Sequence, residues 1–145
     1  MIVPCLAALL LFNERPVSPG QGTTASSRAK VETCEDMSRQ LFGELPIRPT
    51  GPIKPPKQTH NVKPAYPEVP AGTVRSGMWI ADVIIAPDGR VRKLSVLHDL
   101  TFRPPFPEFS KAISDAVLQW RYTPTVVDGR AVPVCMTISV DIHWR

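Results

Sequence analysis

Cys5, Cys34 and Cys135 are the three thiols of this 145-residue chain, and His60, His98 and His143 its three imidazoles. The cysteines lack any CxxC spacing, and even with the scattered histidines they do not build a four-ligand zinc site. If Cys5 is removed or lipidated, Cys34 and Cys135 are left, and two readings stay open for them: a disulfide in an oxidising compartment, or two unpaired small residues. Asp82 and Asp141 fall on the polar sides of neighbouring strands and have the types of an acid-base pair. No cleft accompanies them, so they read as solvated strand faces. Ser95, His98 and Asp99 are close in sequence, but no G-x-S-x-G elbow and no Gly-rich phosphate loop is present. These residues predict neither an enzyme nor a metal or cofactor site, and the function is sought in binding.

Charge and proline divide the chain. Seventeen prolines are about 12% of the residues, against a usual ~5%. Eight of them fall between Pro46 and Pro70, which excludes helices and central strands there. Between Glu44 and Glu68 there is no acidic residue, while Arg48, Lys54, Lys57 and Lys63 all lie there. The other 13 of the 17 basic residues balance the 13 acidic ones, so this tract carries the whole net charge of +4. Four cations along an extended tract, with His60 and Tyr66 as the ring-bearing residues, make a poor nucleic-acid surface. Contact with peptidoglycan or an anionic membrane surface suits the tract better, beside the plainer reading of a solvated linker over 46–65.

Residues 2–12 are an apolar run whose helix would span roughly 16 Å, about half of a ~30 Å hydrocarbon core. The expectation for 1–12 is an apolar export signal or a truncated membrane anchor. Residues 13–27 are rich in Ser, Thr, Gly and Pro, so 13–45 reads as flexible. Within it Val31, Cys34, Met37 or Ser38, Leu41, Phe42 and Leu45 recur at about helical spacing, which predicts a short amphipathic helix docking on the domain.

From Tyr66 onward the pattern is that of an α+β domain, strand, strand, helix, strand. Gly77 to Ala86 is apolar on both faces and reads as a central strand. Asp88-Gly89 supplies a turn into a second strand from Val91 to about Leu97. Phe109, Ala112, Ile113, Ala116, Val117 and Trp120 mark one face of a helix starting near Glu108 and ended by Pro124. After a turn at Asp128-Gly129, Val132, Val134, Met136, Ile138, Val140, Ile142 and Trp144 alternate with Pro133, Cys135, Thr137, Ser139, Asp141 and His143. That predicts one long strand, with Pro133 favouring an edge position. An edge strand offers unpaired N–H and C=O groups to an extended peptide. The far face of the sheet, with Met78, Ile80 and Ile84, needs a cover, supplied by the 29–45 segment or by a second copy.

The ordered set of Tyr66-Pro67, Gly77, Asp88-Gly89, Ala116-Val117, Trp120-Arg121-Tyr122, Pro124, Asp128-Gly129 and a terminal alternating strand resembles the C-terminal domain of TonB-family energy transducers. The resemblance covers residues 64–144, and the basic, proline-rich tract ahead of it is similar to that family's spacer. It implies a small three-stranded antiparallel sheet with one packed helix, and a binding module in the periplasm rather than an enzyme. In the family the last strand accepts the TonB box, a short peptide of TonB-dependent outer-membrane transporters. Here that maps onto Val132, Val134, Cys135, Met136, Thr137, Ile138, Ser139, Val140, Asp141 and Ile142, with Tyr66 and Pro67 as second contacts. The resemblance further implies proton-motive energy delivered by ExbB and ExbD through an N-terminal anchor. An envelope adaptor or lipoprotein using the same domain without energy coupling is the alternative.

Overall fold

The computed structural model describes residues 31–142. Its centre is β3 (Trp79–Ile85), whose β-branched residues suit a pleated, enclosed position. All but Ile80 are buried. It is flanked on both sides by antiparallel partners, β4 (Val91–His98) and β9 (Val134–Val140), in the order β4-β3-β9. The β3–β9 register runs without a break from Trp79 opposite Val140 to Ile85 opposite Val134. In the β3–β4 turn, Ala86 N–H donates to Arg90 O at 2.8 Å and Gly89 N–H donates to Ala86 O at 2.8 Å. The Asp88 carboxylate accepts the Arg90 N–H at 3.0 Å. That hydrogen bond, together with the Arg92 and Arg90 charges, holds its carboxyl below the usual carboxylate range.

Helix α2 (Pro107–Val117) covers one face of the sheet. Pro107 occupies the first turn, where its missing N–H costs nothing. Phe109, Ile113, Ala116 and Val117 are the buried stripe, of which Phe109, Ile113 and Val117 join Trp79, Ala81, Val83, Ile85, Phe102, Tyr122 and Val134 in the main core. The helix ends before Trp120, because Gln119 and Trp120 already donate to Ala116 and Val117, three residues back. The Trp120 indole then donates to Val62 O at 2.9 Å.

The opposite face is covered by α1 (Cys34–Phe42). Thr33 caps it in a capping box with Asp36, and Gly43 ends it at φ 71°. Its buried residues Cys34, Met37 and Ser38 give a narrower stripe than the sequence predicts, and Val31, Leu41 and Leu45 are exposed. Cys34, Met37, Ile84 and Cys135 form a second apolar cluster. Cys34 and Cys135 are joined by a disulfide, Cα to Cα 6.0 Å, across 101 residues of sequence. Asp82, expected on a solvated face, is instead only 8% exposed. The segment following α1 brings Arg48 to 3.7 Å from its carboxylate, and Thr137 Oγ1 donates to it at 2.5 Å. A buried charge needs such partners.

Two further differences trace to proline. The tract that reads as a spacer lies along the domain. Pro56 is buried, the Lys57 N–H donates to Thr123 Oγ1 at 3.0 Å while the Thr123 N–H donates to Lys57 O at 2.8 Å, and the proline-free β1 (Gln58–His60) pairs with β6 (Arg121–Tyr122). The single long strand expected from Val132 is two strands. Pro133 has no N–H, and the ladder breaks there. Val132 therefore ends a separate hairpin, β7 (Thr125–Val127) with β8 (Arg130–Val132), turned by Asp128 at φ 50° and Gly129 at φ 77°. A small pair, β2 (Val74–Ser76) with β5 (Thr101–Arg103), completes the strands. No helix among the described residues is long and apolar enough to cross a membrane. The expected signal or anchor at 1–12 lies outside the described residues, as does Trp144.

Two outcomes follow for stability. Converting Cys34 and Cys135 together to Ala should lower unfolding free energy by up to roughly 5 kcal/mol, the chain-entropy value for a loop near 100 residues. Urea unfolding of the full chain with and without a thiol reductant measures this, and equal midpoints would refute it. Gly89 has φ 84°, and a Cβ there would collide with the Tyr122 carbonyl oxygen. Gly89→Ala should therefore cost about 2 kcal/mol or more, read as a fall of roughly 10 °C in the thermal midpoint.

Candidate functional site

Strand β9 has β3 on one side, and its other side is the feature that could take a partner. The two bonds that Ile47 makes show which groups point outward. Ile47 N–H donates to Pro133 O at 2.9 Å, and Cys135 N–H donates to Ile47 O at 2.9 Å, a parallel bridge. Groups alternate sides along a strand, and the β9 register with β3 has no bulge. The N–H and C=O of Thr137 and Ser139 therefore point the same way as those of Cys135, away from β3. Among the described residues, Ile47 alone pairs with this edge. From the carbonyl of Cys135 onward no other described residue pairs with the edge.

Side chains sort the edge into two rows. Met136, Ile138 and Val140 are half-buried on the α2 face and pack against the main core. Thr137, Ser139 and Asp141 are exposed on the α1 face. A strand added here would continue both rows, apolar residues over α2 and polar ones on the other side. Val134 and Cys135 are buried and engaged, Val134 in the core and Cys135 in its disulfide. Val132 belongs to β8, and Asp141 and Ile142 lie just past the end of β9.

Tyr66 is drawn toward the same end of the sheet. Its ring stacks on Phe109 of α2 with centroids 4.7 Å apart. The next residue, Ser110, accepts the Trp79 indole N–H at 3.0 Å, and Trp79 lies opposite Val140 of β9. Partial burial raises the Tyr66 hydroxyl pKa, so Tyr66 presents a neutral phenol. Pro67 is half-buried beside it.

Ile47 is the residue that sequence reasoning passed over. One bridging residue has no periodicity to detect, and it sits among prolines in a tract that reads as unstructured. A β-branched residue between Pro46 and Pro49 is the local signal that was available. Cys34, Cys135 and Asp82 do come within reach of one another, but both thiols are spent in the disulfide and the carboxylate is paired.

A search of curated proteins returned no match. The family profile described as Gram-negative bacterial TonB protein C-terminal matches residues 62–145, more than half of the chain. The β-β-α-β core, with β9 as its last strand, lies within that span, and the chain belongs to the TonB C-terminal family.

Proposed function

We propose that the outer edge of β9 pairs with the TonB box, an extended peptide of a TonB-dependent outer-membrane transporter, in the periplasm. Through this contact the chain couples proton-motive energy from an ExbB and ExbD motor to the transporter. The observation that supports the reading best is the open edge itself, with the N–H and C=O groups of Thr137 and Ser139 pointing away from β3. Natural sheets usually blunt such an edge. Membership in the TonB C-terminal family supports a TonB-like role for the domain that contains this strand, and the Tyr66–Phe109 stack gives a partner a second surface near the end of β9. The exposed Lys54, Lys57 and Lys63 leave the basic tract able to meet peptidoglycan or an anionic membrane surface.

Magnitudes set what kind of binding this is. Five backbone groups, from Cys135 C=O to Ser139 C=O, contribute about 1 kcal/mol each when paired. Association costs at least ~4 kcal/mol, so main-chain pairing alone gives almost no affinity. Apolar side chains laid beside Met136, Ile138 and Val140 must supply the rest, at roughly 1.5–3 kcal/mol for each one fully buried. The expected partner is therefore a segment with alternate apolar residues, bound reversibly with Kd in the micromolar range or weaker.

Titrating the isotope-labelled full chain with a synthetic peptide spanning a transporter's N-terminal TonB box should shift the Thr137 and Ser139 amides. Ile138→Asp should abolish the shifts while far-ultraviolet circular dichroism stays that of the parent. Shifts absent from β9 at saturating peptide would sink the proposal.

A further inference from the structure

The segment after α1 reaches the binding edge and then stops, and two prolines account for the stop. In a parallel ladder, the residue two before Ile47 would accept from the N–H of residue 133, and the residue two after it would donate to Cys135 O. Position 133 is Pro133 and position 49 is Pro49, and neither has an N–H. The next hydrogen bond of the ladder is therefore missing in both directions. After Pro49 the chain leaves in a turn, Ile53 N–H donating to Thr50 O at 3.3 Å, with Gly51 at φ 62°. Meanwhile the bridge is held in place from both sides. The disulfide fixes α1 to Cys135 itself, Arg48 lies 3.7 Å from both Glu35 and Asp82, and Glu44 pairs with Arg130 at 2.8 Å.

We infer that Ile47, with Pro49 behind it, is a built-in strand stop that sets the register of the partner. Resting on the strand pairing proposed above, this adds what decides where the paired segment begins. Cys135 N–H is occupied, so a partner strand's first contact is the Cys135 carbonyl, followed by Thr137 and Ser139. A peptide placed two residues further toward Val134 meets Ile47 and is excluded. Pro49 has the complementary role. With an N–H at that position the arm would donate to Cys135 O, its own carbonyl would accept from Thr137 N–H, and the arm would zip along the edge that the partner needs. Proline keeps the arm a stop and prevents it from becoming a competitor.

Two substitutions in the full chain, with the disulfide intact, test this from opposite sides using the same TonB-box peptide. In the parent, Thr137 and Ser139 amides should shift and the Cys135 amide should not. Ile47→Pro removes the donor to Pro133 O, and peptide should then shift the Cys135 amide as well. Pro49→Ala should weaken peptide binding about tenfold, which corresponds to 1.4 kcal/mol. It should also slow hydrogen exchange at Thr137 in the free protein. A β9 footprint that is the same in all three proteins, with unchanged affinity in Pro49→Ala, overturns the stop alone. Absence of β9 shifts in all three overturns the strand-pairing reading, and the stop with it.

Discussion

Strand β3 is enclosed on both faces, and the rest of the fold is arranged to meet that demand. A sheet with one wet face needs one cover, but Ala81, Val83 and Ile85 point to one side while Ile84 and Asp82 point to the other, and all five are buried. Helix α2 satisfies the first side with an apolar stripe of ordinary width. The second side is narrower and more polar, and α1 covers it with Cys34, Met37 and a disulfide in place of a broad stripe. A nine-residue helix is too short to hold itself in water. Its covalent bond to Cys135 and its caps make it a dependable lid. Family membership spans 62–145, so this lid comes from residues outside the matched region.

What the sequence revealed follows from how much repetition each element contains. The hairpin of β3 and β4, the α2 stripe and the alternation of β9 each repeat a period several times, and all three were readable. Non-periodic contacts were not. Ile47 meets β9 through one bridge, Val62 meets the Trp120 indole through one carbonyl, and Lys57 meets Thr123 just past β6. Proline density correctly excluded long regular structure from 46–70, but it says nothing about docking. An extended chain with few N–H groups can still lie along a surface, since each contact needs one donor or acceptor. The burial of Asp82 escapes the sequence for a related reason. Alternation puts it on the far face of β3, and residue spacing does not say whether the 29–45 segment or a second copy covers that face.

Proline also separates the candidate site from its surroundings. Pro133 cuts the terminal alternation into β8 and β9, so Val132, apolar and in phase with the rest, belongs to another hairpin. The candidate site is thus shorter than the alternation suggests, and its outward groups run from Cys135 to Ser139. Tyr66 joins it through packing at the start of α2, a relation that depends on tertiary structure and leaves no mark on residue spacing.

The disulfide has a mechanical meaning as well. Tension applied to the chain ahead of Cys34 meets a covalent junction at that residue, and the shortest bonded route crosses directly into Cys135. The 100 residues between them, including the proline tract, the β3–β4 hairpin and α2, form a closed loop off that load path. Force therefore enters the sheet within β9, two residues from Thr137, and a strand bound along that edge would be pulled on by the same backbone segment to which it is hydrogen-bonded. Under such tension, the strand that would receive the load is also the one whose outer edge is unpaired among the described residues.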